Sequence, residues 1–464
     1  DFPDADGRVE TVPPLPAAIG LPRPRRFSFS ASAPYFPPRM RIFGVAMIAF
    51  QKKTLANGLT VIAHEDPSTP MAAVNVLYKV GARNEDYDRT GFAHLFEHLM
   101  FGGSAHIPSY DEPVQLAGGE NNAFTNNDYT NYYLALPKEN IETALWLESD
   151  RMLSLAFNEK SLEVQRKVVV EEFAQRYLNQ PYGDIWLLLR PLAYERHPYR
   201  WATIGRDIEH IRSATMDQVR AFFDRYYKPG NAILSIAGDI PAARVFELAE
   251  KWFGPIPAGE PVRDDIPQEP EQTAARRLEV RRPVPASVVY IAFHMGSRLS
   301  REATVCDVVS DILSNGTSSR LYQRLVKERT LFSNVNAYIS GDVDPGLFLV
   351  TGHVMEGVSP EEAEAPLWRE LELLKTEPVS DYELEKVKNK FEANNVFGEI
   401  NVLNKAMNLA YFEMLGDAAM INTEVAEHNS VTPEEIQSVS QRIFRPENSS
   451  TLLYLADAEA SAAK

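Results

Sequence analysis

Two histidines four residues apart, with a glutamate directly before the second, stand at His94-Leu95-Phe96-Glu97-His98. On a helix, residues i and i+4 are neighbours, so His94 and His98 share one face. Two imidazoles on one face can grip a single metal ion, with the Glu97 carboxylate beside it. The order His-x-x-Glu-His is the inverted form of the more familiar zinc-hydrolase motif. A hydrolytic zinc needs a third protein ligand and an open position for water. The chain has one cysteine, Cys306, which excludes a thiolate ligand set and an intrachain disulfide. A carboxylate is therefore the expected third ligand. Glu163, Glu171 and Glu172, around Val168-Val169-Val170, are the candidates, and helical periodicity does not choose among them. Such a centre lowers the pKa of bound water to about 7. Glu97 could take a proton as that water attacks a carbonyl and hand it to the leaving amine. The chemistry would be amide hydrolysis. His64, His106, His197, His210, His294, His353 and His428 have no comparable spacing and are read as structural.

The motif must be helical to work. Thr90 is the expected N-cap before Gly91, and Phe92, Leu95, Phe96, Leu99 and Met100 supply an apolar face. Gly102 and Gly103 stop the helix. Upstream, residues 54–62 predict two short strands about the Asn57-Gly58 turn, and residues 72–80 another strand. Asn122-Ala123-Phe124-Thr125 and residues 130–136 alternate as strands. Helices are expected over 141–155, 162–177 and 216–227, and a buried strand over 232–237. Sheet and helix alternate as in a two-layer α+β domain.

The 464 residues suffice for two to four domains, and 44% apolar content is ordinary for a globular protein. A net charge of −17 opposes nucleic acid as the main partner, because phosphate would be repelled. No apolar run reaches the eighteen or so residues of a membrane helix. A soluble protein is expected, of either the periplasm or the cytoplasm of a bacterium. Residues 1–39 are rich in proline without periodicity and read as an extended arm. The chain opens at Asp1 rather than methionine, read as removal or replacement of something upstream. Residues 40–50 are apolar and predict a first core strand; a signal-peptide core is the alternative.

The chain also repeats itself. Ser213, Pro229 and Asn231 recur as Ser430, Pro446 and Asn448, each 217 residues on (430 − 213, 446 − 229, 448 − 231). Gly81-Ala82-Arg83 is answered by Gly296-Ser297-Arg298. Two copies of one domain of roughly 210 residues are expected. The boundaries are an arm over 1–45, a metal-binding domain over 46–258, a proline- and acid-rich linker over 259–275, and a second domain over 276–464. In the second copy Val309, Ile312 and Leu313 fall opposite His94, Glu97 and His98. That copy should be wall, not catalyst.

From about Lys53 to Ala456 the chain resembles the pitrilysin family, which includes insulin-degrading enzyme and the mitochondrial processing peptidase. The resemblance rests on His94-Leu95-Phe96-Glu97-His98 and on Val168-Val169-Val170-Glu171-Glu172. It implies that His94 and His98 bind zinc, that Glu97 is the general base, and that Glu172 is the third ligand, with Glu171 as runner-up. It implies that Asn122, Ala123 and Phe124 lie on a substrate-binding edge strand, Asn122 adding a side-chain hydrogen bond. It also implies two α/β sandwich domains, with mixed or antiparallel sheets and helices on one face. Two departures stand out. The family's usual glutamate seven residues before the third ligand is Gln165 here. Ser314-Asn315-Gly316-Thr317-Ser318-Ser319-Arg320-Leu321 resembles the glycine-rich turn of the non-catalytic half. The arginine and tyrosine that follow it in members that complete the site are here Val326 and Ser333. The expectation is a zinc endopeptidase cutting peptides of limited size in an enclosed chamber, paired clam-shell fashion with a homologous zinc-less subunit that supplies those two groups. A homodimer is the alternative partner arrangement. A non-catalytic core or scaffold subunit and a metal-holding peptide-binding module are the alternative functions.

Overall fold

The strand β3, Met71–Tyr78, is buried at seven of its eight positions, so both faces of the sheet around it must be covered. The computed structural model, which describes residues 47–263 and 265–457, shows how. β1 (Gln51–Thr54), β2 (Thr60–Glu65), β3, β4 (Glu120–Thr125), β5 (Thr130–Pro137) and β6 (Ala232–Gly238) form one sheet in the order β1-β2-β6-β3-β5-β4. Only β2 and β6 run parallel. β7 (Arg276–Arg282), β8 (Val288–His294), β9 (Phe332–Ile339), β10 (Leu347–Val354) and β11 (Ser449–Ala456) form the second, in the order β7-β11-β8-β10-β9. Its parallel pair is β7 with β11. Read from β2, the first sheet has the strand order of the second, so the duplication seen in the sequence is a duplication of topology.

One face of the first sheet, with Val74, Val76 and Tyr78, packs against the helix Phe92–Leu99 through Phe92, Leu95, Phe96 and Leu99. Alternate residues of the same strands point the other way. There Ile62, Leu77 and Ile233 meet Leu409, Phe412 and Leu415 of the helix Val402–Leu415, which belongs to the second half. The favour is returned. Ile185, Leu189 and Ala193, on the helix Ile185–Ala193 of the first half, pack on Val288, Ala292, Leu349 and Leu452 of the second sheet. The two helices begin 217 residues apart (402 − 185), the same spacing as the sequence repeats. Each half therefore lends one equivalent helix to the outer face of the other half's sheet. Helices cover both faces of each sheet, an arrangement the periodicity of single segments does not reveal.

The expected elements form with small shifts at their ends. Helices run over Ile141–Leu153, Glu159–Phe173 and Met216–Tyr226. Two local expectations fail. Thr90 is not the cap of the motif helix. Gly91 is, with φ +89°, while the Thr90 hydroxyl accepts from the Arg206 N–H and contacts His210 Nδ1. Among the described residues the first strand begins at Gln51, so the expected strand does not extend over residues 47–50. Residues 47–50 are irregular because Ile48 exchanges two hydrogen bonds with the Asn422 side chain. The arm over 1–45, and residues 40–46, lie outside the described residues. Ahead of β7, the described residues of 259–275 carry no helix or strand. They are anchored all the same: the Glu269 carboxylate accepts the N–H groups of Glu195, Arg196 and His197. Among the described residues no helix is long and apolar enough to cross a membrane.

Candidate metal centre and active site

The motif helix starts abruptly, and the start fixes its direction. Gly91 takes a left-handed conformation, and a Cβ there would sit 2.6 Å from the Ile204 carbonyl oxygen. The Glu85 carboxylate accepts the N–H groups of Gly91 and Ala93, both at 2.8 Å. It thus fills part of the role a cap would play. Burial still pushes the Glu85 carboxyl up to about 8, against those two donors. From underneath, the Tyr132 hydroxyl on β5 donates to the Phe96 carbonyl.

So positioned, the helix turns His94, Glu97 and His98 into one cavity of about 520 Å³. The helix Glu159–Phe173 brings Glu172 to the same place. Glu172 Oε2 lies 3.3 Å from His98 Nε2 and 3.7 Å from His94 Nε2. The two imidazole rings are 4.9 Å apart, edge to face. Around a tetrahedral ion with bonds of about 2.0–2.1 Å, ligand atoms stand about 3.4 Å apart. The two nitrogen–oxygen separations are close to that spacing, and two imidazoles with one carboxylate match the donor preferences of zinc. Among the described residues, this is the one group of three or more His, Cys, Asp or Glu side chains that could hold an ion together.

Electrostatics favour the forms a metal needs. Burial pulls the His94 imidazole down to about 4, despite the attraction of Glu172, so the ring is neutral. The hydrogen bond with His98 is the main reason the Glu172 carboxyl is held below its ordinary value. Burial raises the Glu97 carboxyl, opposed by Thr125 on β4 and by His98. A raised carboxyl is better matched to proton transfer near neutral pH.

Of the substrate-strand candidates, Ala123 and Phe124 line the cavity together with Thr125. Asn122 is exposed, and its amide oxygen accepts the Ala123 N–H at 2.8 Å. Among the described residues β4 pairs only with β5, at the edge of the sheet. Glu171 contacts Gln175 rather than the histidines, and Glu163 pairs with Arg166 and Lys167. Geometry therefore separates Glu172 from its neighbours. Val326 is packed against the second core and Ser333 is exposed on β9.

Sequence reasoning did not single out Arg176, Tyr177, Thr203 or Ile204, which also line the cavity. Arg176 Nη1 stands 3.0 Å from Glu172 Oε1. It engages the oxygen that faces away from the histidines. Its signal was available once Glu172 was chosen, since i and i+4 are neighbours on a helix. Thr203 and Ile204 sit on a loop and carry no local signal. Nor did any pattern point to Glu85, six residues before the glycine it caps.

A duplicated α+β chain with one inverted-motif helix in its first half has the plan of a metallopeptidase family. Residues 60–182 match the family model described as insulinase (peptidase family M16), and residues 213–391 the one described as the M16 inactive domain. The chain belongs to peptidase family M16. It is 32% identical over 341 residues to zinc protease PqqE of Helicobacter pylori, covering 72% of this chain and 77% of that one. It is 25% identical over 400 residues to the uncharacterized zinc protease YmxG of Bacillus subtilis, covering 85% and 95%. In three dimensions it is similar to the crystal structure of a protease from Helicobacter pylori, with TM-score 0.82, 28% identity, and 88% and 100% of the two chains covered. The fold also matches pitrilysin, with TM-score 0.70 and 16% identity. The match covers 88% of this chain but 45% of that one.

Proposed function

We propose that this chain is a zinc-dependent endopeptidase that hydrolyses extended peptides of limited size. The observation that carries the reading is the convergence of His94 Nε2, His98 Nε2 and Glu172 Oε2, with Glu97 in the same cavity. Zinc bound there would supply Lewis acidity and a water acidified to about pKa 7. Three groups of the chain would hold it: the two imidazoles through Nε2, and Glu172 through the oxygen that Arg176 leaves free. Glu97 would accept the proton of the attacking water and return it to the departing nitrogen. The outer edge of β4 would take the substrate backbone as an added strand. Asn122 would first have to release the Ala123 N–H, so its amide would act as a gate on that edge as well as a contact. The names of the relatives as zinc proteases support the metal.

The positions that correspond to the expected arginine and tyrosine are Val326, packed on the second core, and exposed Ser333. The absence of that pair from both positions supports a clam-shell heterodimer with a homologous zinc-less subunit, or failing that a homodimer. A second reading, a scaffold subunit or peptide-binding module without catalysis, draws on the inactive-domain description of residues 213–391. The Glu97 carboxylate beside the triad favours catalysis.

The test combines metal analysis with cleavage of a fluorogenic peptide. About one zinc per chain is expected, lost in His94→Ala and His98→Ala. Glu97→Gln should keep the metal and lose cleavage by a factor of a thousand or so, several kcal/mol of transition-state stabilisation. Undiminished cleavage by Glu97→Gln would remove that carboxylate from the mechanism. Metal retained in both histidine variants would remove the triad.

A further inference from the structure

A second cavity, of about 460 Å³, adjoins the first across one stretch of chain. Trp201 and Ala202 line the second cavity, and Thr203 and Ile204 line the first. Tyr87 also lines the second cavity and is 46% exposed. Two guanidiniums lie against that ring. The Arg206 Cζ is 3.7 Å from the ring centroid and the Arg200 Cζ 4.0 Å. Trp201 meets the same ring edge-on.

Two like charges gathered on one ring repel each other. Cation–π attraction at an open site offsets only part of that repulsion. Among the described residues no carboxylate forms an ion pair with either guanidinium, although Glu195 and Asp207 line the same cavity. Glu195 pairs with Arg276 at 2.6 Å. Asp207 caps the helix Ile208–Arg212 by accepting the Glu209 N–H. Asp86 pairs with Arg89. The Arg206 side chain makes no hydrogen bond or ion pair among the described residues. Arg200 spends one N–H on the Glu195 carbonyl. Both arginines line this cavity, which is large enough for a side chain or a chain end, although the Arg200 Nε is itself buried. A guanidinium fork matches a carboxylate with two parallel hydrogen bonds.

We infer that this cavity is a carboxylate-binding subsite for the peptide substrate, with Arg206 and Arg200 as donors and Tyr87 as the platform that holds them. The inference rests on the peptidase reading above. The carboxylate is either the substrate's C-terminus or an acidic side chain, and the two share one chemistry.

The test uses the full chain carrying Glu97→Gln, which should bind peptides without cutting them. Four labelled peptides of one sequence are compared by fluorescence anisotropy: free acid, C-terminal amide, amide with one internal Glu, and amide with Gln in its place. Arg206→Ala should weaken binding of a carboxylate-bearing peptide about tenfold, or 1.4 kcal/mol, and leave the amidated Gln peptide unmoved. Arg206→Lys should recover part of the loss. Arg206 is exposed, so the variants should fold. Loss with the free acid identifies the chain end, and loss with the Glu peptide identifies a side chain. Equal loss on all four peptides, or none on any, overturns the inference. The two readings fail separately. Carboxylate-selective binding by the Glu97→Gln chain, with no cleavage by the zinc-loaded parent carrying Glu97, would sink the peptidase and spare the subsite. Normal cleavage with no carboxylate-selective effect would do the reverse.

Discussion

The two halves of this chain share a strand order and a helix exchange, yet one carries chemistry and the other does not. The difference begins before the helix. In the first half Gly81 is followed by a long loop, a left-handed glycine and a buried carboxylate cap, and the helix Phe92–Leu99 is only 8 residues long. In the second half Gly296 leads almost at once into the 14-residue helix Arg301–Ser314, capped by the Ser300 hydroxyl on the Ala303 N–H. Val309, Ile312 and Leu313 are all buried there. The first helix leaves His94, Glu97 and His98 facing a cavity under Glu172, whereas the second fills its space with apolar side chains. The site belongs to the entry loop and the neighbouring glutamate helix, not to the fold.

The severest way to test that contrast is to write the motif into the wrong half. Val309→His combined with Ile312→Glu and Leu313→His would bury a carboxylate and two imidazoles without partners. The expected cost exceeds about 4 kcal/mol, enough to unfold many domains. Urea denaturation followed by circular dichroism measures it. A folded variant that took up a second zinc would show that the second half is a site waiting for ligands, and the contrast would collapse.

The next test concerns what the halves have in common. Leu409→Ala and Leu189→Ala each empty a fully buried position on one of the exchanged helices. Each should cost about 2–5 kcal/mol. Because each helix is part of the other half's core, both variants should still unfold in one transition. Two separated transitions in either variant would mean that the halves are stable on their own.

Much of this was legible in the chain. The motif helix could be read because its apolar residues and its histidines follow one period. The duplication could be read because turn residues such as Pro229 and Pro446 keep their spacing. The two sheets follow from alternating strands. Other features left no local trace. The burial of both faces of β3 hints at a second cover, but nothing in residues 71–78 says that it comes from residue 402 onward. Glu172 could be separated from Glu171 and Glu163 only by resemblance, since all three lie on one helix whose orientation depends on the sheet. Glu85 and Arg206 act through loops, where no periodicity exists to be seen.

A smaller effect should come from the cap that distinguishes the first half's helix. The Glu85 carboxyl titrates at about 8 in the folded protein, well above the ordinary carboxylate value near 4.3. The folded state therefore holds a proton that the unfolded chain has released across that interval. The stability from this group is complete below about pH 4 and declines as pH rises to about 8. Glu85→Gln removes the titration and keeps one acceptor for the helix. Urea midpoints measured from pH 5 to 8 should fall less steeply in the variant than in the parent. Equal slopes would assign the pH dependence to other groups.

The smallest effect separates the two helix exchanges from each other. On the helix Val402–Leu415, the Lys405 ammonium stands 2.7 Å from Asp66 beside β2, with both side chains mostly buried. At the corresponding place, 217 residues earlier, the reciprocal helix carries Leu188, packed against the second sheet. Its own acidic contact, Asp184 with Arg282, lies at the helix start and is more exposed, so screening by water makes it weaker. Burial alone would raise the Asp66 carboxyl, but hydrogen bonds from Lys405 and Ser68 outweigh it and hold the group at about 2. A depressed carboxyl stabilises the fold above its unfolded value of about 4, and that contribution is lost as pH falls through 2. Hydrogen exchange between pH 4 and 2 should therefore show protection of Val402–Leu415 declining before that of Ile185–Ala193. Asp66→Asn should remove the difference, at a cost of roughly 1–3 kcal/mol because Lys405 is left without its partner. If the two helices lose protection together in the parent protein, the ion pair does not distinguish them, and the two exchanges are equivalent in energy as well as in topology.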